Sequence, residues 1–298
     1  MTGNVLISLD CEGKWGFADD QRVVDDTTIC DSSLRKAYDS LFRLLDEHGL
    51  RATFAVVGLF AAGRERAEQF IQEVGEEPGY RRWLKVPSLA MSSGQVEGWF
   101  FEDLPRRVAA TGRHEIASHG YSHLPFTFPE TSAATAHHEL GMMQSTSSEF
   151  KWGIESMVYP RNDVAYRELL GQYGIRRHRT STEPVTFFQR LQALAGESNV
   201  WATSDPTAGR DGFISPGRFL NWRRGPRRIV PSAITQLRWR NICSHAAKSG
   251  GCAHLWFHPH NLVTGHRQNE LVSSVLAIAG EFVQRSELHP ITFKDVPC

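Results

Sequence analysis

"DSSLRKAYDSLFRLLDEHGLRATFAVVG", residues 31–58, reads as a helix handing over to a strand. Asp31 is a candidate N-cap, Leu34, Tyr38, Leu41 and Leu45 recur at helical spacing, and Gly49 suits the helix stop. Upstream, "NVLISLD" from Asn4 is a short apolar strand that ends on a carboxylate and meets the glycine-containing loop "CEGKWG". Strand, helix and strand with short joints form a βαβ unit, which predicts a parallel sheet.

The same alternation continues along the chain. "FEDLPRRVAATG" reads as a helix ending at Gly112, and "RHEIASH" as a strand delivering His119 at its C-terminal end. "TSAATAHHELGMMQSTSSEFKWG" is a helix, and "IESMVYP" a strand that ends at Arg161, Asn162 and Asp163. "ELLGQYGIRRHRTS" repeats the helix-then-strand pattern more weakly; "PSAITQLRWRNICSHAAKSGG" is helical and "CAHLWFHPHN" a strand ending in histidines. "NELVSSVLAIAGEFVQRS" closes as a helix, and "ITFKDV" is expected to be a last strand. Residues 60–100 read as an insertion over one face, and 200–230, rich in glycine, proline and arginine, as a long loop whose basic part covers about 205–230. Six or seven strand–helix units in residues 1–298 predict a single-domain α/β barrel, a fold that builds its active site from the strand ends.

Composition narrows the partners. Lysine plus arginine and aspartate plus glutamate both number 33, so no net charge favours nucleic acid or an anionic surface globally. No run reaches the roughly 18 apolar residues of a membrane helix, and the first strand begins too early to leave room for a signal peptide. The five cysteines, Cys11, Cys30, Cys243, Cys252 and Cys298, are scattered without a CxxC spacing, which suggests neither a disulfide framework nor a thiolate zinc site. A reducing cytoplasm is the expected compartment.

Four polar clusters fall at strand ends: Asp10 with Glu12; His119 with His123; Arg161 with Asn162 and Asp163; His258 with His260 and Asn261. Each has a bland reading as a turn or cap. Together they offer two imidazoles and a carboxylate, three protein ligands that leave an open position on a divalent ion. Zinc held this way lowers the pKa of its water to about 7 and polarises a carbonyl oxygen, as amide or ester hydrolysis at neutral pH requires. The other carboxylate can act as base, a histidine from a distant strand can protonate the leaving nitrogen, and Arg161 can hold the base in its charged form.

In order and context, "SLDCEG", "RATFAVVG", "HEIASHGYSH", "YPRND" and "HLWFHPHN" resemble the NodB-type polysaccharide deacetylases, metal-dependent enzymes of the carbohydrate esterase family 4 kind. The resemblance runs from residue 4 to about 295 and implies a distorted (β/α)7-type barrel. It implies that His119 and His123 are metal ligands, that Arg161 pairs with the base, and that His258 is the catalytic acid. The family's first motif has adjacent aspartates, base then ligand, where this chain has Asp10, Cys11 and Glu12. Alternate residues of a strand share a face, so Asp10 is assigned as base and Glu12 as ligand, with the exchange of roles left open. The tryptophan–aspartate motif that orients the catalytic histidine has no clear counterpart; Asp163 and Asp205 are the candidates.

His260, Asn261 and Asn162 are expected to bind substrate. Trp15, with Phe17, is either a sugar-stacking wall or core. The arginines 218, 223, 224, 227 and 228 either meet a phosphate or diphosphate or form a solvated basic loop. The resemblance implies a divalent cofactor, Zn2+ first, with Co2+, Ni2+ or Mn2+ also compatible. The expected reaction removes an N-acyl group, acetyl first, from an amino sugar that is an intracellular, nucleotide- or lipid-linked intermediate of surface polysaccharide or glycoside assembly. Two rivals stand beside it: a same-fold hydrolase of a formamide or cyclic ureide, and a non-catalytic glycan-binding member.

Overall fold

The computed structural model describes residues 2–180, 200–201 and 212–297. Its strands are β1 (Gly3–Cys11), β2 (Thr53–Val56), β3 (Glu115–Ser118), β4 (Ser156–Val158), β5 (Arg177–Arg179), β6 (Val200–Trp201), β7 (Phe213–Ile214), β8 (Arg218–Phe219), β9 (Cys252–Phe257) and β10 (Leu288–Ile291). The α-helices are α1 (Asp31–Glu47), α2 (Gly58–Ala62), α3 (Arg64–Val74), α4 (Lys85–Ser93), α5 (Leu104–Ala110), α6 (Ala133–Glu149), α7 (Ser232–Ser249), α8 (Asn261–Thr264) and α9 (Gln268–Gln284). Two compact units make up the chain: Met1–Leu9, Arg35–Thr53 and Arg179–Cys298 form the first, Asp10–Leu34 and Phe54–His178 the second.

In the first unit, β1 runs parallel to β9, from Asn4 opposite Cys252 to Leu9 opposite Phe257, and parallel to β10. β8 adds a parallel pairing to β9, and β6 an antiparallel one. Eight of the nine residues of β1 are buried, as a parallel strand covered on both faces requires. The periodicity of α1 holds: Leu34, Tyr38, Leu41 and Leu45 are all buried, each stabilising the fold by roughly 2 kcal/mol. α7 and α9 pack together, with the Trp239 indole donating to the Val275 carbonyl at 3.0 Å.

In the second unit, β2, β3, β4 and β5 lie side by side in that order, with Ser118 of β3 opposite Met157 of β4. The end of β1 joins this set, because Val57 N–H donates to the Cys11 carbonyl at 3.1 Å. Residues 60–100 supply core: Phe60, Phe70, Trp83 and Trp99 are buried, and α2 and α3 form packed helical faces.

One sequence expectation changes. "ITFKDV" is not a strand throughout: β10 stops at Ile291, and Phe293–Asp295 is a 3-10 turn. Asp295 Oδ2 accepts from Thr292 N–H at 2.7 Å and from its hydroxyl at 2.9 Å, a capping box that competes with continued pairing. Among the described residues no helix is long and apolar enough to cross a membrane, and Cys11, Cys30, Cys243 and Cys252 form no disulfide.

Candidate active site

β1 ends at Cys11, and Glu12 follows as the residue preceding the 3-10 turn Gly13–Phe17. Its carboxylate is buried, and the absence of a side chain at Gly16 makes the room: a Cβ there would collide with Glu12 Oε1. Asp10, two residues earlier, is buried too. β3 delivers His119, whose N–H donates to the Val56 carbonyl at 2.8 Å and whose Nδ1 lies 2.8 Å from the Val158 carbonyl. A carbonyl and a carboxylate both only accept, so the ring donates from Nδ1 to Val158 and from Nε2 to Glu12 Oε2, 3.2 Å away.

The loop then turns sharply. Gly120, at φ 76°, lies against Pro160, where a Cβ would come within 2.9 Å of the ring. His123 itself is left-handed, at φ 60°. That conformation brings its Nε2 to 2.8 Å from Glu12 Oε2 and its ring to 4.8 Å from that of His119. His123 is buried; its Nδ1 has no hydrogen-bond partner, and its Nε2 faces the Glu12 carboxylate without a well-directed hydrogen bond. Glu12, His119 and His123 thus offer three ligand atoms within 4.8 Å of one another.

The electrostatics of the two rings differ. Burial disfavours the His119 imidazolium, but the Glu12 carboxylate and the Asp10 charge outweigh it and hold that pKa above the ordinary range. Burial pushes His123 below it, with Glu12 only partly offsetting. A divalent ion between these atoms would take the place of the proton that His119 Nε2 shares with Glu12 and would give the buried His123 Nε2 a ligand bond.

A second layer holds the loop, and sequence reasoning missed it. Glu139 of α6 is buried; its Oε2 accepts from Tyr121 N–H at 3.0 Å and Ser122 N–H at 2.9 Å, and its Oε1 from the Ser122 hydroxyl at 2.6 Å. Burial raises its pKa, with those donors opposing. The available signal was an acid inside the apolar stripe Ala136, Leu140, Met143 of α6. The Trp83 indole donates to the Ser122 carbonyl at 3.0 Å, and its ring stands 6.1 Å from that of His123. From α2, the N–H groups of Gly58 and Leu59 donate to the carbonyls of Gly120 and Tyr121, both at 2.9 Å.

Other expected residues fall differently. Arg161 and Asn162 are both left-handed, in the turn Pro160–Asn162 that Asp163 follows. The ion pair of Arg161 is with Asp19, and its guanidinium lies 5.1 Å above the Trp83 ring. Trp15 is no sugar-facing wall: it is fully buried, its indole donates to the Trp99 carbonyl at 2.9 Å, and it meets the Trp99 ring edge-on at 5.2 Å. The short 3-10 turn after β1 points this ring inward. Asp205 lies outside the described residues.

In the first unit, His258 follows β9 on the face it shares with His254 and Trp256. Its ring stacks on that of His260 at 5.1 Å and lies 5.7 Å from Phe219. His260 is buried 6.0 Å from the Trp222 ring, and Asn261 is buried with neither amide atom partnered. Beneath them, His254 Nε2 lies 2.9 Å from the Ser8 hydroxyl and Nδ1 2.9 Å from the Ser215 carbonyl, while Arg179 donates to Ser8 at 3.1 Å and covers the Trp256 ring at 4.3 Å.

Comparison with known proteins then bears on this geometry. Residues 23–155, which include His119 and His123, match the polysaccharide deacetylase family model. No curated protein matches the sequence. A structure from Mycobacterium smegmatis described as a polysaccharide deacetylase is 18% identical, covering 97% of this chain and 92% of that one, with a TM-score of 0.50. The family 4 carbohydrate esterase domain of a multidomain xylanase from the hindgut metagenome of Trinervitermes trinervoides is 13% identical over 99% and 90% of the two chains, TM-score 0.46. A family 4 acetyl xylan esterase from Clostridium thermocellum, solved with cobalt, is 11% identical over 98% and 89%, TM-score 0.46. The expected α/β class and distorted (β/α)7-type barrel are those of this fold. Residues 23–155 thus resemble the polysaccharide deacetylase family, and the chain shares its fold with the Mycobacterium smegmatis structure.

Proposed function

We propose that the protein is a metal-dependent hydrolase that removes an N-acyl group, acetyl first, from an amino sugar. The observation that carries this reading is the convergence of His119 Nε2 and His123 Nε2 on one oxygen of Glu12, at 3.2 and 2.8 Å. Two imidazoles and one carboxylate suit a divalent ion of the zinc, cobalt, nickel or manganese kind and leave a position open. Such an ion, when bound, polarises the acyl oxygen and acidifies water.

The chain's own residues do the rest. Asp10 accepts the proton of the attacking water; its burial and its place on the strand leading to Glu12 support that role. His258 delivers a proton to the departing amine nitrogen, the role the family resemblance assigns to the histidine ending this strand. Arg161, held by Asp19 and resting on Trp83, braces the wall beside His123. His260, Asn261 and Asn162 bind the sugar, and the two unpartnered amide atoms of Asn261 support that assignment. The proposed substrates are nucleotide- or lipid-linked amino sugars of surface polysaccharide or glycoside biosynthesis, in keeping with the acid-free stretch that surrounds β9.

The test is acetate release from N-acetylated hexosamines, free, oligomeric, nucleotide-linked and lipid-linked, by chelator-stripped and metal-reloaded protein. Release should need reloading and should fall at least about 100-fold in Asp10→Asn, the usual scale of a lost general base. Folded, metal-loaded protein that hydrolyses none of these amides contradicts the reading.

A further inference from the structure

Between Gly212 and Asn269 the chain carries nine lysines and arginines and no aspartate or glutamate, although the whole chain is neutral. Some of these cations are neutralised by acids beyond the stretch: Arg240 pairs with Glu281, and Arg267 with Glu270. Arg224, Arg227 and Arg228 are exposed around the 3-10 turn Gly225–Ile229 and have no acidic partner among the described residues.

The same surface is apolar where it should not be. Ile229 is 80% exposed, Ile234 46% and Leu237 62%; these are three of the five large exposed hydrophobic side chains among the described residues. Ile234 and Leu237 lie three apart on α7, so they share a face, and the opposite face buries Trp239, Ile242 and Cys243. Single exposed aliphatics are ordinary; three within nine residues, preceded by arginines without an acidic partner, make a segment that water penalises and anions attract.

We propose that this surface docks the protein on an anionic phospholipid bilayer, with Ile229, Ile234 and Leu237 entering the headgroup boundary and Arg224, Arg227 and Arg228 meeting phosphates. Charge selects the occupant. A second copy placed symmetrically on the patch would set arginine against arginine, with no carboxylate in residues 212–269 to receive them. A bilayer supplies both complements at once. The docking segment continues from β8, which pairs with β9, and carries Trp222 against His260, so docking brings the bilayer to the end of β9. This deepens the proposed function towards a lipid-linked amino sugar and, in that clause alone, rests on it.

Co-sedimentation with vesicles tests the docking without substrate. The full chain should bind vesicles of phosphatidylcholine and phosphatidylglycerol in equal parts at roughly 0.1 M salt, bind phosphatidylcholine alone far more weakly, and release as salt rises. Arg227→Ala/Arg228→Ala should weaken partitioning by about fivefold per arginine removed. Ile229→Asp/Leu237→Asp should weaken it at least as much, with circular dichroism confirming the fold. The salt titration of the unmodified protein carries the test if a variant does not fold. Equal binding to both vesicle types, no binding, unchanged binding by folded variants, or a concentration-dependent dimer that both double variants abolish would overturn the proposal. Vesicle binding without hydrolysis of any acyl sugar sinks the functional reading and leaves the docking; hydrolysis without vesicle binding does the reverse.

Discussion

Glu139 Oε1 and the Ser122 hydroxyl are 2.6 Å apart, and the other oxygen of the same carboxylate takes the Ser122 N–H, so one buried acid on α6 holds the residue before His123 at two points. Glu139→Gln turns one acceptor into a donor opposite donors, and Glu139→Ala leaves all of them unsatisfied. Either change should cost about 1–3 kcal/mol of stability. The loop, once released, no longer holds His123 in its left-handed conformation, so zinc affinity should fall by 10-fold or more, the scale of outer-shell changes at metal sites. Thermal unfolding and metal titration of the two variants check both effects; full affinity in a folded Glu139→Ala contradicts the assignment.

Gly16 separates packing from ligation. The three atoms that a methyl at this position would meet first all belong to the Glu12 side chain, so Gly16→Ala should act mainly by displacing that buried carboxylate. The Glu12 carboxylate must swing aside, and metal affinity should drop about as far as in an outer-shell variant, 10- to 100-fold. A competition assay with a coloured zinc chelator reads this directly.

Ser8 sits between two buried partners, the His254 ring at 2.9 Å and the Arg179 guanidinium at 3.1 Å. Ser8→Ala removes the only small group in this trio and leaves a buried imidazole nitrogen short of a partner. Urea denaturation should show a loss of about 1–3 kcal/mol. An unchanged midpoint would mean that water or a rearranged Arg179 replaces the hydroxyl.

His178 gives the fold a pH dependence of known sign. Burial, with repulsion from Arg167, lowers its pKa from 6.5 to about 4. The unfolded chain therefore takes up this proton first as pH falls. Its contribution to stability is complete above about 6.5, is lost progressively below that value, and levels off near 4. Replacing it with a ring that does not titrate, His178→Phe, should reduce the loss of stability between pH 7 and pH 5 by on the order of 1 kcal/mol. Urea midpoints of both proteins at the two pH values give the comparison.

Much of the fold and the site is legible in the sequence. The apolar spacing of α1 and the strand–carboxylate and strand–histidine junctions at Asp10 and His119 follow from periodicity, because a buried face must repeat with its element. The sequence groups Glu12, His119 and His123 as one ligand set, and their ligand atoms lie within 4.8 Å of one another. What sequence could not give was direction. Trp15 faces inward because of a five-residue 3-10 turn, and Arg161 reaches Asp19 because its backbone is left-handed; no pattern of residue types encodes either. Glu139 stayed hidden because an acid on an amphipathic helix reads as solvent-facing until its donors are seen.

The central claim is that Glu12, His119 and His123 hold a divalent ion. The direct test is titration calorimetry of zinc into chelator-stripped protein, alongside folded His123→Ala and Glu12→Gln. One site per chain in the unmodified protein, weakened about 100-fold or lost in both variants, is the expected result. No binding by the folded unmodified protein, or the same binding in all three, would contradict it.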